Sequence, residues 1–568
     1  MTIWMILAAL AVLIIVAAVN SGKNRYTDEL DNLKDKWGKL GDTQYPSDDF
    51  ENISHYYRLS ENDGYSVDDI TWNDLEMDSI FQAIDNCSSS IGREYLYKAL
   101  RKPNLDKNKI KDIDTAAGYM SSHTDDRVSI QMSLSKLGFV HKVSFSDYVD
   151  VINKLNPLKN SLSYLFNALN IASILVMIFV NAQAGVLALI ASLLASTAYY
   201  FKKKPEAGRY FIALSQISRM VRTGKDIEKK RKSFSDMPDE LKGVLNNIER
   251  DTDIIYPSIK NDWLLPDTGA NSSIVEVIMN YLRMFTHVDL IHYNRAIKQI
   301  KGKSKNVLAL MNNLGYLELV ICTASFRKAI KKYSYPEFIE DENQGINVEG
   351  IYHPLIKDAV PNDISNAKNV LITGSNASGK STFLKSIALN AILSQSIATS
   401  VSEKYSAPIY KLYSSMSLRD DYKTKGSYYM VEIRALKRIV DAAQSSNIPV
   451  LAIVDEVLRG TNTIERIAAG SSILEYLENE NTNTFAATHD IEITDILKGS
   501  YSNYHFRESF NEDGDIEFTY KLQNGAATTR NAIALLGTLG FDDKIISILS
   551  RFQPDVLTDC KLSKTNNI

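Results

Sequence analysis

Val370-Leu371-Ile372-Thr373-Gly374-Ser375-Asn376-Ala377-Ser378-Gly379-Lys380-Ser381 is the stretch on which the fold turns. A short apolar, β-branched run meets a glycine, and the last eight positions fit G-x-x-x-x-G-K-[ST]. The run predicts a strand over Val370–Thr373, and Lys380–Ser396 reads as a helix. Between them the glycines let the backbone bend so that its N–H groups point at phosphate oxygens. The helix N-terminus adds positive potential there. Lys380 would reach the β- and γ-phosphates of a nucleotide, and Ser381 would ligate Mg²⁺.

Downstream, Leu451-Ala452-Ile453-Val454 runs into Asp455-Glu456. An apolar strand that ends in two carboxylates is the expected partner of a phosphate loop. It delivers Asp455 to the metal and leaves Glu456 to polarise an attacking water. Phe485-Ala486-Ala487-Thr488-His489 is a third such run, and its histidine would contact the γ-phosphate. Helices are expected over Tyr428–Ala443 and Ile464–Glu478, and strands over Val450–Val454 and Thr484–Ala487. This alternation from Pro336 onward describes a mostly parallel sheet covered by helices.

Upstream the pattern is helical. Leu75, Ile80, Phe81, Ile84, Tyr95, Leu96 and Leu100 recur at mostly helical spacing before Pro103. Two basic runs follow, at Lys225 to Lys232 and Lys298 to Lys305. Such runs are solvated faces, contacts for anionic lipid or contacts for nucleic-acid phosphates. Three apolar stretches stand out. Ile3 to Val19 carries no charge, and Lys23 and Arg25 follow it as they follow a retained anchor. About Leu165 to Val180 and Ala184 to Phe201 form a hairpin around Asn181-Ala182-Gln183, with Lys202-Lys203-Lys204 directly after it. Each stretch is near the ~17–25 residues that span a bilayer. The competing reading is a hairpin buried in a soluble core; against it, no polar face repeats at helical spacing.

The 568 residues imply several domains, and a net charge of -4 argues against a protein that coats nucleic acid by charge alone. Cys87, Cys322 and Cys560 lie far apart in sequence, offer no metal spacing, and read as buried thiols in a reducing compartment.

Together these segments resemble the ATPase region of the MutS mismatch-repair family, a branch of the ABC-type ATPases. The likeness rests on Pro361-Asn362-Asp363, on Leu371 through Thr382-Phe383-Leu384, and on Asp420-Asp421 with Ser427-Tyr428-Tyr429-Met430-Val431-Glu432. It continues in Asp455 to Thr461, in Thr488-His489, and in Tyr520, Gly525 and Asn531-Ala532-Ile533. More weakly it reaches Asn73-Asp74-Leu75-Glu76, Ser90 to Pro103 and Leu317 to Tyr333. The resemblance implies ATP with Mg²⁺ as ligands, a P-loop running from Gly374 to Thr382, and a homodimer. In that dimer Ser427 would approach the γ-phosphate held by the partner copy's loop. ATP binding would press the two ATPase domains together and hydrolysis would release them. Lys380, Glu456 and His489 would carry the catalysis, and Ser381 and Asp455 the metal.

The expected fold class is an α/β ABC-type P-loop ATPase domain after an all-α core and lever, with transmembrane helices. The expected divisions are an anchor (1–20), a linker (21–67), a helical core (68–160), a membrane hairpin (161–204) and a second core and lever (205–335). The ATPase domain (336–530) and a dimerising segment (531–568) complete the chain. The expected location is the plasma (inner) membrane, multi-pass, with the ATPase in the cytoplasm. The helical core begins near Asp68, which leaves no room before it for the wedge domain that reads mispaired bases. Two signature positions also depart from the family: Tyr428 stands where threonine is usual and Leu458 where glycine is. Two functions stay open. One is a DNA-clamping ATPase held at the membrane by three helices. The other is a membrane-coupled regulatory or mechanical ATPase that acts on a protein partner without DNA.

Overall fold

The structure is a computed structural model. It describes residues 24, 26–60, 63–140, 143–154, 159–261, 274–341, 345–375, 378–416, 428–458, 461–510 and 516–527. The first apolar stretch, Asn376, Ala377, Asp420, Asp421, Ser427 and residues 531–568 lie outside the described residues. The chain divides into two compact units. One contains 1–61, 84–98 and 115–329, and the other 62–83, 99–114 and 330–568.

The second unit is α/β. Its larger sheet contains β4 (Asn369–Thr373), β6 (Lys411–Ser415), β7 (Val450–Asp455), β8 (Thr482–Ala487), β9 (Ser502–Phe510) and β10 (Ile516–Asn524), in the order β10-β9-β4-β8-β7-β6. All pairings are parallel except the antiparallel hairpin β9–β10. Every residue of β4, β7 and β8 is buried, which explains the apolar runs Val370–Ile372 and Val450–Val454: a parallel strand covered on both faces needs no polar alternation. A smaller sheet has the order β1-β5-β2-β3, from Glu337–Phe338, Lys404–Ala407, Ile346–Ile351 and Asn362–Ala367.

The upstream segment 63–83 folds with this unit. Asp74 accepts hydrogen bonds from Ser414 Oγ (2.6 Å) and Met416 N (3.0 Å), Thr71 Oγ1 accepts from Ser414 N (3.1 Å), and Arg438 pairs with Asp68. Trp72, 2% exposed, is stacked under the Arg101 guanidinium at 4.1 Å. The sheet edge β6 is thereby covered by side chains rather than left open.

The first unit is helical. The helix Ser304–Ala329 is long and apolar enough to cross a membrane, yet 72% of its apolar window is buried, so it is a core helix of this unit. On it, Glu318 accepts from Ser88 N and Ser89 Oγ, both at 2.8 Å, at the start of the helix Ser90–Arg101. A second carboxylate, Glu94, accepts from Ser144 Oγ (2.8 Å) and Phe145 N (2.5 Å) at the start of the helix Phe145–Lys154. Glu94 satisfies an N–H group that its helix start leaves open, and Glu318 holds Ser89, whose Oγ accepts from Gly92 N (3.2 Å) at the other.

Burial pushes the Glu94 carboxyl up from its ordinary 4.5 to about 8, despite its three hydrogen bonds. The folded protein therefore holds a proton that the unfolded chain releases. The resulting stability is full below about pH 4.5 and is lost as pH rises towards 8. Between about pH 5.5 and about pH 8.5 the melting temperature of the protein should fall further than that of Glu94→Gln, by the equivalent of about 1–3 kcal/mol. Parallel falls in the two melting curves would contradict this.

Cys87 and Cys322, 235 positions apart, meet with their Sγ atoms 3.4 Å from each other. Both are buried, and burial pushes the Cys87 thiol well up, with Cys322, Asp85 and Glu318 adding to it. The pair packs as apolar side chains and holds little thiolate.

Two further helices, Ser161–Phe179 and Ala182–Arg231, form the hairpin read from the sequence. The second runs on through Pro205 to Arg231 without a break, 50 residues in all. Windows over Ser161–Phe179 and Ala182–Pro205 are long and apolar enough to cross a membrane and are only 11% and 17% buried. The hairpin does carry a polar seam. Asn167 and Asn170 lie at i, i+3 on one helix, and Ser192 and Ser196 at i, i+4 on the other, so the absence of a polar repeat does not hold.

Candidate active site

β4 ends at Thr373, and the chain turns through Gly374 at φ 142°. A side chain at Gly374 would meet the Phe506 carbonyl oxygen at 2.9 Å, so the turn requires glycine. The loop closes with Gly379 at φ 109°, and the helix Lys380–Ile397 begins. A Cβ at Gly379 would press on the ring of Tyr520 at 3.3 Å. That ring is aimed by a bulge in β10: Tyr520 has φ 51°, and the β9–β10 register shifts between Phe518 and Leu522. Asn362 clamps the bulge, donating from Nδ2 to Tyr520 O (3.0 Å) and accepting at Oδ1 from Leu522 N (2.8 Å). Pro361-Asn362 therefore shapes the back of the loop, a role its sequence did not disclose.

Lys380 is 4% exposed, and its ammonium donates to the carbonyls of Gly374 (2.9 Å) and Ser375 (2.7 Å). The ammonium is thus held in the mouth of its own loop. Ser378 Oγ donates to Ser375 O (2.9 Å) and tightens the same turn. Ser381 and Thr382 are exposed on the first turn of the helix.

Asp455 ends β7, side by side with β8. Its carboxylate is hydrogen bonded to Ser381, and burial raises its pKa. That rise is opposed by the Ser381 bond and by the charges of Lys380 and His489, and reinforced by Glu456. Among the described residues, Asp455 Oδ1 is buried without a hydrogen-bond partner. A buried carboxylate oxygen left open beside a serine hydroxyl suits a hard divalent cation, which would favour the charged form that burial opposes. The donor set fits Mg²⁺.

Glu456 stands at φ 57°, in left-handed backbone that side chains other than glycine seldom adopt. Strain of this kind collects at functional sites, where surrounding structure holds it. Here the backbone is held by Glu456 N donating to Ala487 O (2.9 Å). The carboxylate meets His489 Nε2 at 2.8 Å. His489 thus lies against the acid as well as at the end of β8. Leu458 also has a positive φ, 56°, which is why glycine would be at home there. Its buried side chain joins Val454, Val457, Leu474, Ala486 and Ile493 in the core under the site. Beyond it, Asn462 Oδ1 caps the helix Thr463–Glu478 by accepting from Glu465 N (3.0 Å). Arg466 grips Asp490 with two 2.7 Å bonds, fixing the chain just after His489.

The fold thus gathers Gly374, Ser375, Ser378, Gly379, Lys380, Ser381, Asp455, Glu456 and His489 at the carboxyl ends of β4, β7 and β8. Nucleotide-binding α/β sheets use that edge. Residues 370–553 match MutS domain V. The chain carries a MutS-family domain over these residues. It is 23% identical over 526 residues to the DNA mismatch repair protein MutS of Fusobacterium nucleatum, covering 84% of this chain and 57% of that protein. Against the protein of the same name from Natronomonas pharaonis it is 31% identical over 238 residues, 40% of this chain and 27% of the relative. The DNA mismatch repair protein MutS 2 of Haloarcula marismortui is 29% identical over 300 residues, 47% of this chain. The MutS-like chain thus spans little more than half of the Fusobacterium relative and under a third of the other two.

Proposed function

We propose that this chain is a membrane-anchored MutS-family ATPase that binds and hydrolyses ATP in a site completed by a second copy. The observation that carries the reading is the convergence of Lys380, Asp455 and the Glu456–His489 pair around one phosphate loop. The loop amides and Lys380 receive the phosphates, and Tyr520 walls the loop. Glu456 takes the proton of the attacking water, and His489 fixes the orientation of that carboxylate. Mg²⁺, held by Ser381 and Asp455, would supply charge neutralisation at the phosphates. Ser427 of the second copy would complete the site.

The exposed apolar hairpin supports placement in the plasma (inner) membrane, with the nucleotide site in the cytoplasm. Two outputs remain. Kinship with proteins named for DNA mismatch repair supports coupling to DNA. The packing of the first basic run supports an output through the membrane or a protein partner. Lys225 pairs with Glu228 and Asp253, Lys230 with Asp226, and Arg231 with Glu249. In the second run, Lys303 donates to Ile254 O and Ser258 Oγ. Cations already engaged with local acids, as in the first run, or with carbonyl and hydroxyl oxygens, as at Lys303, have fewer donors free for a phosphate backbone.

ATP hydrolysis by the protein in nanodiscs, titrated with homoduplex, mismatched and branched DNA at two salt concentrations, separates the outputs. Stimulation that weakens with salt establishes DNA coupling. A steady rate, indifferent to every DNA, removes DNA from the account and leaves the membrane-coupled ATPase.

A further inference from the structure

The helix Ile274–Thr286 is thirteen residues long, about 20 Å at ~1.5 Å per residue, too short to span a bilayer. Its chemistry is inverted relative to a water-facing helix. Val277, Ile278, Tyr281 and Leu282 share one face and are 46–62% exposed. Arg283, on the opposite face, is 1% exposed and donates to Asn280 Oδ1 at 3.1 Å. A helix in water turns its arginine out and its isoleucine in.

The C-terminal end of this helix is docked on the polar seam of the hairpin. Asn167 Nδ2 donates to Thr286 O (2.7 Å), and Asn170 Nδ2 and Ser196 Oγ donate to Phe285 O (3.2 and 3.4 Å). Ser192 Oγ donates in turn to Asn170 Oδ1 (2.6 Å). His287, at φ 52°, ends the helix, hydrogen bonded to Ser196 and stacked on Tyr200. A helix end leaves carbonyls that need donors, and in hydrocarbon no water can supply them. Asparagines inside an apolar span are costly there unless they meet such a partner. The seam supplies the donors that this helix end lacks.

We propose that the helix Ile274–Thr286 is a further membrane-embedded helix, inserted part-way beside the hairpin with Val277, Ile278, Tyr281 and Leu282 against lipid acyl chains. The inference rests on the membrane reading of the hairpin. Like the exposed face of the helix, the hairpin to which it is pinned exposes apolar side chains, among them Ile171, Leu175 and Ile178 at 49–62%. The occupant is lipid because a water-filled surround would leave that face bare while the arginine stayed buried.

The test is nitroxide labelling of the full chain in phosphatidylcholine/phosphatidylglycerol nanodiscs, with Cys560→Ser, which leaves the buried Cys87 and Cys322, as the background whose own labelling is subtracted. Labels are placed at Ile278→Cys, with Tyr281→Cys as an independent second position. Leu187→Cys serves as the hairpin reference and Lys437→Cys as the aqueous one. Collision with oxygen is compared with collision with a water-soluble nickel chelate. The oxygen-to-nickel ratio at positions 278 and 281 should match position 187 and exceed position 437 several-fold. Nickel access at 278 and 281 with 187 still shielded overturns this inference and leaves the hairpin in the membrane. Nickel access at 187 overturns the membrane reading itself and this inference with it. Shielding of 278 and 281 from both probes means that protein covers the helix, which also overturns the inference.

Discussion

Lys380→Ala should lose nucleotide affinity by on the order of 10²–10³-fold, because a buried cation that contacts phosphate is removed. The variant should fold. In the protein the ammonium donates to the carbonyls of Gly374 and Ser375, and both belong to a loop that other bonds also shape. Lost loop bonds of this kind cost about 1 kcal/mol each, whereas lost phosphate contacts decide binding. Equilibrium binding of a fluorescent ATP analogue, alongside a melting curve, separates the two effects. An unchanged affinity in a folded variant would remove Lys380 from the site.

Glu456→Gln should bind ATP as tightly as the parent and turn it over on the order of 10²–10⁴-fold more slowly, the range expected when a general base is lost. The amide preserves shape and one acceptor for His489, whose Nε2 lies 2.8 Å from the carboxylate. The left-handed backbone at Glu456 is held by its bond to Ala487 and does not depend on the carboxylate charge. With hydrolysis stalled, ATP should hold two copies together. Light scattering in nanodiscs or detergent should then show a mass that rises with ATP and Mg²⁺ and falls on chelation. The same mass with and without ATP would contradict closure between copies.

Much of the α/β unit is legible because the buried parallel strands β4 and β7 are written as apolar runs. Val450–Val454 lengthens by only one residue in the structure, and the helix from Lys380 ends within one residue of its expected end. The β9–β10 hairpin was not legible. Its strands mix Tyr504, His505 and Arg507 with Phe506, and a bulge at Tyr520 breaks the period of two. The clamp at Asn362 follows from that bulge and shared its obscurity.

Among the site residues, the phosphate loop and the two acids announce themselves by spacing. The His489–Glu456 contact does not, since it depends on β7 and β8 lying side by side, a pairing that sequence order alone leaves open. The ion pairs of the basic run at Lys225 to Lys232 are hidden from the sequence for a related reason. Some of its counter-charges, Glu249 and Asp253, arrive from a neighbouring helix. The Cys87–Cys322 contact bridges 235 positions and has no local signal. Asn167, Asn170, Ser192 and Ser196 were readable as a seam at helical spacing. Their meaning needed the helix end that they cap.

The most direct measurement is steady-state phosphate release from ATP by the full chain in nanodiscs with Mg²⁺, using Lys380→Ala and Glu456→Gln as blanks. A magnesium-dependent rate is expected in the parent, and both substitutions should lower it at least about 100-fold, one by loss of binding and the other with binding intact. A parent rate no greater than that of the two variants, with ATP bound to the parent, would contradict the claim that this site hydrolyses ATP.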